Sequence, residues 1–545
     1  MAAVHPQGDE GRRLVAAVAA APRDAELRRA LAASLARAGE PRAALEQYRS
    51  VLGLKPNDPD AAADMGLMAL RCRAEKEVLG PVRSAAGANP GHARLWQVLG
   101  LVHRALDELA PAMAAFDRAA ALAPQDRLIA HGRARAWFDA GKPAVDLFER
   151  ARRLTPDDES VFIGLMAALV AAGRSEEAVT AAQGALRRNP DWVVVHATLA
   201  SHLWAMGARE GFTASFEAAL RASPRNILLW KELVSTLIHA GRYEAALEAI
   251  GRGRAVAGPH LVFDANEAIC RAELGDAAAA DRLYERLAEV NDPVLTVRHV
   301  RHLLRSGRPE EAERIGLPLT RTPAAKDVWP YLSLAWRLTA NPAWEWLEGD
   351  PRLVGTYELA EAIPSLEALA ASLRALHLTT HQPLIQSVRG GTQTDGMLFA
   401  RTEPEIRSLR AAVVEAVQGH IAQLPPPDPR HPVLARRGGD VRFTGSWSIR
   451  LTAGGSHTNH IHPAGWFSSA LYVSLPDPAE RGPEPAGWLT LGEAPSELQL
   501  DLPPTRLVEP KAGRLVLFPS IMWHGTRPFA AGERLTVAFD VAPPV

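Results

Sequence analysis

Cysteine is almost absent from this sequence: only Cys72 and Cys270 occur, far apart and both in helical stretches. That excludes a disulfide scaffold and a cysteine zinc site, and leaves the two thiols as buried small hydrophobes. A long apolar run is missing as well, so no membrane span is expected. The polar stretch from Met1 to Arg13 lacks the apolar centre of a signal peptide. Neither sign of charge is in excess, since 61 basic and 62 acidic side chains leave a net charge of −1. A chain so balanced has no global field with which to hold nucleic acid or an anionic membrane. By elimination, these absences point to a cytoplasmic protein in a reducing setting. The abundance of alanine and of arginine over lysine suggests a GC-rich bacterial genome.

What is present is ordinary in kind, with 47% hydrophobic and 23% charged residues. At 545 residues the chain exceeds what one core can hold, so several domains or a repeat array are expected. Prolines recur at Pro56, Pro90, Pro124, Pro156, Pro190, Pro224, Pro259 and Pro293, with gaps of 34, 34, 32, 34, 34, 35 and 34 residues. Tyr48, Phe116, Phe148 and Phe216 each stand eight residues before one of these prolines. Ala44, Ala112 and Ala144 stand four residues earlier still, with Phe212 the exception. One unit reads Trp96-x2-Leu99-Gly100-x2-His103, then Ala112-x3-Phe116, then Pro124. This resembles the tetratricopeptide (TPR) helix–turn–helix repeat, with His103 where tyrosine is usual. Small residues let the paired helices approach, the large residue fills the gap, and proline stops the second helix. About nine such units cover Asp24 to Thr322, the one around Leu70 to Ala86 being degenerate.

The period is lost from Trp329 onward, where Trp336, Trp344 and Trp346 cluster into an expected cap and junction near residue 350. Helices are expected over Glu358–Leu378 and Glu403–Leu424. Short β-rich runs follow at Trp447–Thr452, Ala470–Ser474, Gly487–Leu491, Arg514–Phe518 and Leu535–Val541, which fits a sandwich or jelly-roll barrel. The expected architecture is α+β and multidomain. An N-terminal extension (1–23) precedes an all-α TPR superhelix (24–322). A cap and junction (323–357) follow, and then a double-stranded β-helix barrel with flanking helices (358–545).

Two histidines, His460 and His462, are spaced to share one face of a strand, while His457 is out of phase and reads as a solvent-facing loop residue. His524 lies 62 residues beyond His462, and Arg534-Leu535-Thr536 begins ten residues after His524. The carrying stretches are Gly445-Ser446-Trp447-Ser448-Ile449-Arg450, His460-Ile461-His462-Pro463, Ser468-Ser469-Ala470-Leu471-Tyr472-Val473 and Gly513-Arg514-Leu515-Val516-Leu517-Phe518-Pro519-Ser520. Upstream, Gln386-Ser387-Val388-Arg389-Gly390-Gly391-Thr392-Gln393 belongs with them. Over about residues 360 to 545 the chain resembles the double-stranded β-helix oxygenases. More narrowly, it resembles the 2OG-Fe(II) oxygenase family found in bacteria fused to TPR repeats.

The resemblance implies Fe(II) held by His460, His462 and His524, with 2-oxoglutarate chelating the metal from the opposite face. It also implies Arg534 as the planar, two-pronged cation for the far carboxylate of 2-oxoglutarate, with Thr536 adding a hydroxyl from the same strand face. The family pattern is His-x-Asp/Glu, and here position 462 is His. His462 therefore reads as a ligand, as a donor beside the ligands, or as neither. Trp447, Trp466 and Tyr472 are candidate pocket walls, and Trp447 and Tyr472 candidate co-substrate contacts, with burial in the core as the alternative. Gly390-Gly391 reads as a turn. Arg389 and Arg450 read equally as surface or pocket residues. His103, His196, His239, His299 and His302 lie in repeat helices and read as packing or surface residues.

Three functional readings are compatible with these residues. The first is a hydroxylase whose TPR groove recruits a protein or peptide. The second is a TPR scaffold with a catalytically silent barrel. The third is a three-histidine dioxygenase that does not use 2-oxoglutarate, against which Arg534 speaks because it would lack a partner.

Overall fold

The computed structural model describes residues 9–379 and 381–544. The first eight residues of the polar N-terminal stretch lie outside that range. The chain divides into two compact units, one made of residues up to Ala172 with Ala400–Thr402, the other of Gly173–Phe399 with Glu403–Val545.

The first unit consists of paired antiparallel helices packed in sequence order. Asp24, Asp58, Asp126 and Asp158 cap helix N-termini with their carboxylates; Asp126 accepts from the backbone N–H of Leu128 at 2.8 Å and of Ile129 at 3.0 Å. Phe116 is fully buried between helices Ala93–Ala105 and Arg127–Asp139. A methyl group added at Gly100 would stand 2.7 Å from its ring, and one at Gly132 2.3 Å. Phe148 presses on Gly164 in the same way in the next repeat. The large residue thus fills the gap that the small ones open, as the repeat pattern implies. In the degenerate repeat, helices Pro59–Cys72 and Glu75–Ala88 still pair, and Pro81 sits inside the second.

Seven of the eight periodic prolines, Pro56 to Pro259, fall two residues after a helix ends. Pro293 differs: it is the first residue of helix Pro293–Arg305, where its missing N–H costs nothing. Cys270 is buried and Cys72 partly so. No described helix is long and apolar enough to cross a membrane.

In the second unit the helix pairs continue to Leu338, and an antiparallel sheet follows. Its strands are β1 (Gly355–Glu358), β2 (Val388–Gln393), β3 (Phe443–His460), β4 (Phe467–Ser474), β5 (Leu489–Leu491), β6 (Arg506–Val508), β7 (Arg514–Pro519), β8 (His524–Thr526) and β9 (Arg534–Val541). The order is β1-β7-β4-β9-β3-β8-β5-β6, with β2 also paired to β3. The 18-residue β3 passes from β9 at its start to β8 at its end, which curls the sheet into a jelly-roll barrel. One continuous hydrophobic core runs from Val297, Leu303 and Trp336 of the last helices to Leu471, Leu515 and Phe539 of the barrel.

Three sequence expectations shift. Of the helix expected over Glu358–Leu378, only Leu366–Arg374 is helical, and Glu358 ends strand β1, which pairs with β7 at the sheet edge. The strand expected over Trp447–Thr452 extends eight residues further, to His460. Gly390-Gly391 is not a turn but a bulge within β2, where the pairing to β3 slips between Arg389 and Gly391. A methyl group at Gly391 would stand 2.4 Å from the Arg450 carbonyl oxygen, so the close backbone approach requires glycine there.

His420, on helix Pro404–Gln423, is buried against the edge of Phe467, and its Nδ1 lies 2.9 Å from the Tyr357 hydroxyl on β1. Burial pushes its pKa from 6.5 down to about 4. Between those values the unfolded chain binds a proton that the folded chain refuses, so stability falls as pH drops. The full effect is on the order of 3 kcal/mol. The thermal midpoint should therefore drop between about pH 7 and about pH 5, and less steeply in His420→Leu. Parallel pH profiles for the two proteins would contradict this.

Candidate functional site

The site forms where β3, β8 and β9 meet. Across β3 and β8, His457 pairs with Thr526 and His460 with His524, so three steps on β3 match two on β8. This bulge rotates the strand between the two histidines and turns both toward one chamber. His457 is therefore not a solvent-facing loop residue: it is partly buried and lines the chamber with His460, His462 and His524.

His460, His462 and His524 each offer a ring nitrogen within 4.8 Å of the other two. Their ring centroids lie 4.2 Å apart for His460–His524, 4.9 Å for His460–His462 and 5.2 Å for His462–His524. Each Nδ1 faces an oxygen: Thr458 O at 2.8 Å from His460, Met522 O at 3.0 Å from His524, and Asp540 Oδ2 at 2.8 Å from His462. An N–H directed at each oxygen leaves the Nε2 lone pair for a metal. Burial, followed by the neighbouring histidines, pushes His460 and His524 well below 6.5. Burial and then Arg534 bring His457 down to about 3. The Ser387 hydroxyl stands 3.1 Å from His457 Nδ1 and 3.2 Å from His460 Nε2. Among the described residues this trio is the one cluster of side chains placed to hold a metal ion.

Strand β9 supplies the other wall. Alternation sends Arg534, Thr536, Ala538 and Asp540 to the same face, and all four line the chamber. Arg534 is 3% exposed, donates from Nη1 to Gly487 O at 3.0 Å, and lies 4.9 Å over the Tyr472 ring. Its Nε has no partner, and no carboxylate pairs with it among the described residues. Burial lowers its pKa from the ordinary arginine value. A buried guanidinium without an acid is costly, and an anion in the chamber would relieve it. The donor set therefore fits a divalent cation beside an anionic chelator.

Trp447 lines the chamber and stacks on His462 at 5.4 Å, with the rings 8° from parallel. Tyr472 and Trp466 are not chamber walls. Tyr472 is fully buried beneath Arg534, supporting its guanidinium, and is absent from the chamber wall. Trp466 belongs to the core, its indole N–H donating to Val433 O at 2.8 Å. Arg450 leaves the pocket for a salt bridge with Glu533 at 2.5 Å.

A second, open cavity of about 470 Å3 meets the chamber at Gln386, Ser387, His460, His462 and Asp540. Arg389 lines it. So does His239, the last residue of repeat helix Ile227–His239, rather than serving only packing or surface. The sequence offered no reading of Asp540, and His239 read only as a packing or surface residue. Strand parity with Arg534 was the available signal for Asp540, whereas nothing local marked His239.

Residues 445–540 match the family model described as "Putative 2OG-Fe(II) oxygenase", and residues 93–126 match that of the tetratricopeptide repeat. No curated protein matches the chain. Among solved structures, MamA is 18% identical, with 30% of this chain and 90% of that chain covered and a TM-score of 0.28. A thermophilic TPR protein of Thermus thermophilus is 20% identical, with 33% and 100% covered and a TM-score of 0.27. A tetratricopeptide repeat protein from Parabacteroides merdae is 13% identical, with 48% and 98% covered and a TM-score of 0.32.

Two outcomes follow from this geometry. His524→Ala should abolish retention of iron under anaerobic loading, read by metal analysis, while circular dichroism stays that of the parent. Arg534→Ala should weaken 2-oxoglutarate binding, read by calorimetry on the metal-loaded protein, by about a hundredfold. Unchanged affinity would remove the main support for this co-substrate.

Proposed function

We propose that the protein is an Fe(II)- and 2-oxoglutarate-dependent dioxygenase of hydroxylase type. The observation that carries this reading is the meeting, in one chamber, of three converging imidazoles and a buried arginine without an acid partner. His460, His462 and His524 would hold the metal, and Arg534 with Thr536 the far carboxylate of 2-oxoglutarate. When bound, iron and 2-oxoglutarate supply the oxidising chemistry: the co-substrate is split to succinate and carbon dioxide, and one oxygen atom of dioxygen enters a substrate C–H bond.

The chain's own share is placement and exclusion of water. Ile449, Leu489 and Phe518 give the chamber an apolar wall, and Trp447 covers one face of His462. Ala538 leaves room between Thr536 and Asp540. The outer cavity gives a substrate access to the face of His460 and His462, and a repeat helix contributes His239 to its wall. That placement supports a protein or peptide substrate, recruited by the repeats and delivered into the cavity. In this reading residues 24–322 recruit, 323–357 join, and 358–545 carry the chemistry. Ferrous iron persists in a reducing compartment, which favours the cytoplasm.

The test is succinate release from protein loaded anaerobically with Fe(II), then supplied with 2-oxoglutarate, ascorbate and air. Release above background, rising when cell lysate is added as a source of substrate, is the expected result. Retained iron with no succinate under any of these conditions would make the chain a TPR scaffold with a silent barrel.

A further inference from the structure

Three imidazoles are an electrically neutral ligand set, so a divalent metal held by them alone would keep its full charge in a largely buried chamber. One imidazole is partnered unlike the others. His460 and His524 direct Nδ1 at backbone carbonyls, of Thr458 and Met522, whereas His462 directs it at a carboxylate, Asp540 Oδ2, at 2.8 Å. Asp540 is 6% exposed. Its other oxygen accepts from the Ser468 hydroxyl at 2.6 Å, and Ser468 Oγ lies 2.9 Å from Ser520 Oγ. His462 is the one cationic or potentially cationic side chain within salt-bridge distance of Asp540 among the described residues. The negative charge is thus buried, braced by a neutral hydroxyl, and aimed at a single ring.

We propose that Asp540 is a positioning residue acting through His462, so that the His462–Asp540 pair serves the metal as one composite anionic ligand. It rests on the three-histidine metal reading above. A hydrogen-bonded carboxylate fixes the ring with Nδ1 protonated, turns Nε2 toward the metal and raises its basicity. The pair thereby places one negative charge beside the metal without a carboxylate in direct coordination. It also accounts for the histidine at position 462, since the charge that an acid there would bring arrives from β9 instead. Ser468, by donating to the other oxygen, takes a share of that charge away from the ring.

Asp540→Asn keeps shape and an acceptor for His462 but removes the charge. Mn(II) binding to the full-length protein, read from the electron paramagnetic resonance of free Mn(II), should weaken about tenfold to a hundredfold. A double-mutant cycle separates charge from scaffolding. In the H462D background the metal receives a carboxylate directly, and Asp540→Asn should then change Mn(II) affinity by less than about threefold. Equal losses in both backgrounds, or no loss in the parent, would overturn the proposal. Should Asp540→Asn fail to fold, Ser468→Ala addresses the same question from the other side of the carboxylate. With the charge no longer shared, Mn(II) binding should tighten, and unchanged or weaker binding would count against the idea. If the parent binds no Mn(II), or binding survives His524→Ala, the metal reading itself falls and this inference with it. Binding that is lost in His524→Ala but untouched in Asp540→Asn sinks this inference alone.

Discussion

Antiparallel pairing between β3 and β9 is the constraint on which the site depends. The ladder sets Ile449 opposite Thr536 and Leu451 opposite Arg534. A slip of one residue would turn every side chain of β9 to the other face. Arg534, Thr536 and Asp540 would then leave the chamber, and Glu533 would enter it. The partner that Glu533 has on the opposite face, Arg450, helps hold the register from outside. At its far end β3 leaves β9 for β8, and the bulge there turns His460 toward His524. One strand therefore fixes the distance between the histidine cluster and the arginine.

The chamber is also tied to the helix that follows the repeats. Arg337, on helix Ala325–Leu338, donates to the carbonyls of Gly492 and Pro503, and the Trp523 indole donates to Pro330 O at 2.9 Å. Trp523 directly precedes His524, so the residue next to a metal-binding candidate is anchored on the helix that follows the repeats. The hydrophobic core continues across this contact without a gap. Within the second unit, the repeats and the barrel are packed as one body of side chains, and His239 reaches the outer cavity from it.

How much of this was legible in the sequence depends on the length scale of each signal. The repeats were readable because a packing rule recurs at each proline period, and Phe116 against Gly100 and Gly132 shows that rule at work. His460, His462, His524, Arg534 and Thr536 were readable because strand alternation and their order along the chain agree. Bulges broke that reading. At His457 and at Gly390 the period of two fails, and a residue assigned to solvent or to a turn proves to be part of the sheet. Asp540 obeyed the alternation from Arg534, but a carboxylate on a strand has no meaning until its histidine partner is known. His239 was beyond reach, because its place in the cavity depends on segments 145 or more residues apart in sequence. Tyr472 failed as a pocket wall since β4 is covered on both faces, and Trp466, just ahead of β4, packs into the core; aromatic character alone does not tell the two sides apart.

On the proposed reading, the three imidazoles and Arg534 hold a ferrous ion and 2-oxoglutarate in one chamber. The most direct measurement is a crystal structure grown anaerobically with Mn(II) in place of iron and with 2-oxoglutarate. Metal–nitrogen distances of roughly 2.0–2.3 Å to His460, His462 and His524 are expected. The far carboxylate of 2-oxoglutarate is expected on the Arg534 guanidinium and the Thr536 hydroxyl. Metal bound elsewhere in the barrel, or 2-oxoglutarate absent from Arg534 in a metal-loaded crystal, would contradict it.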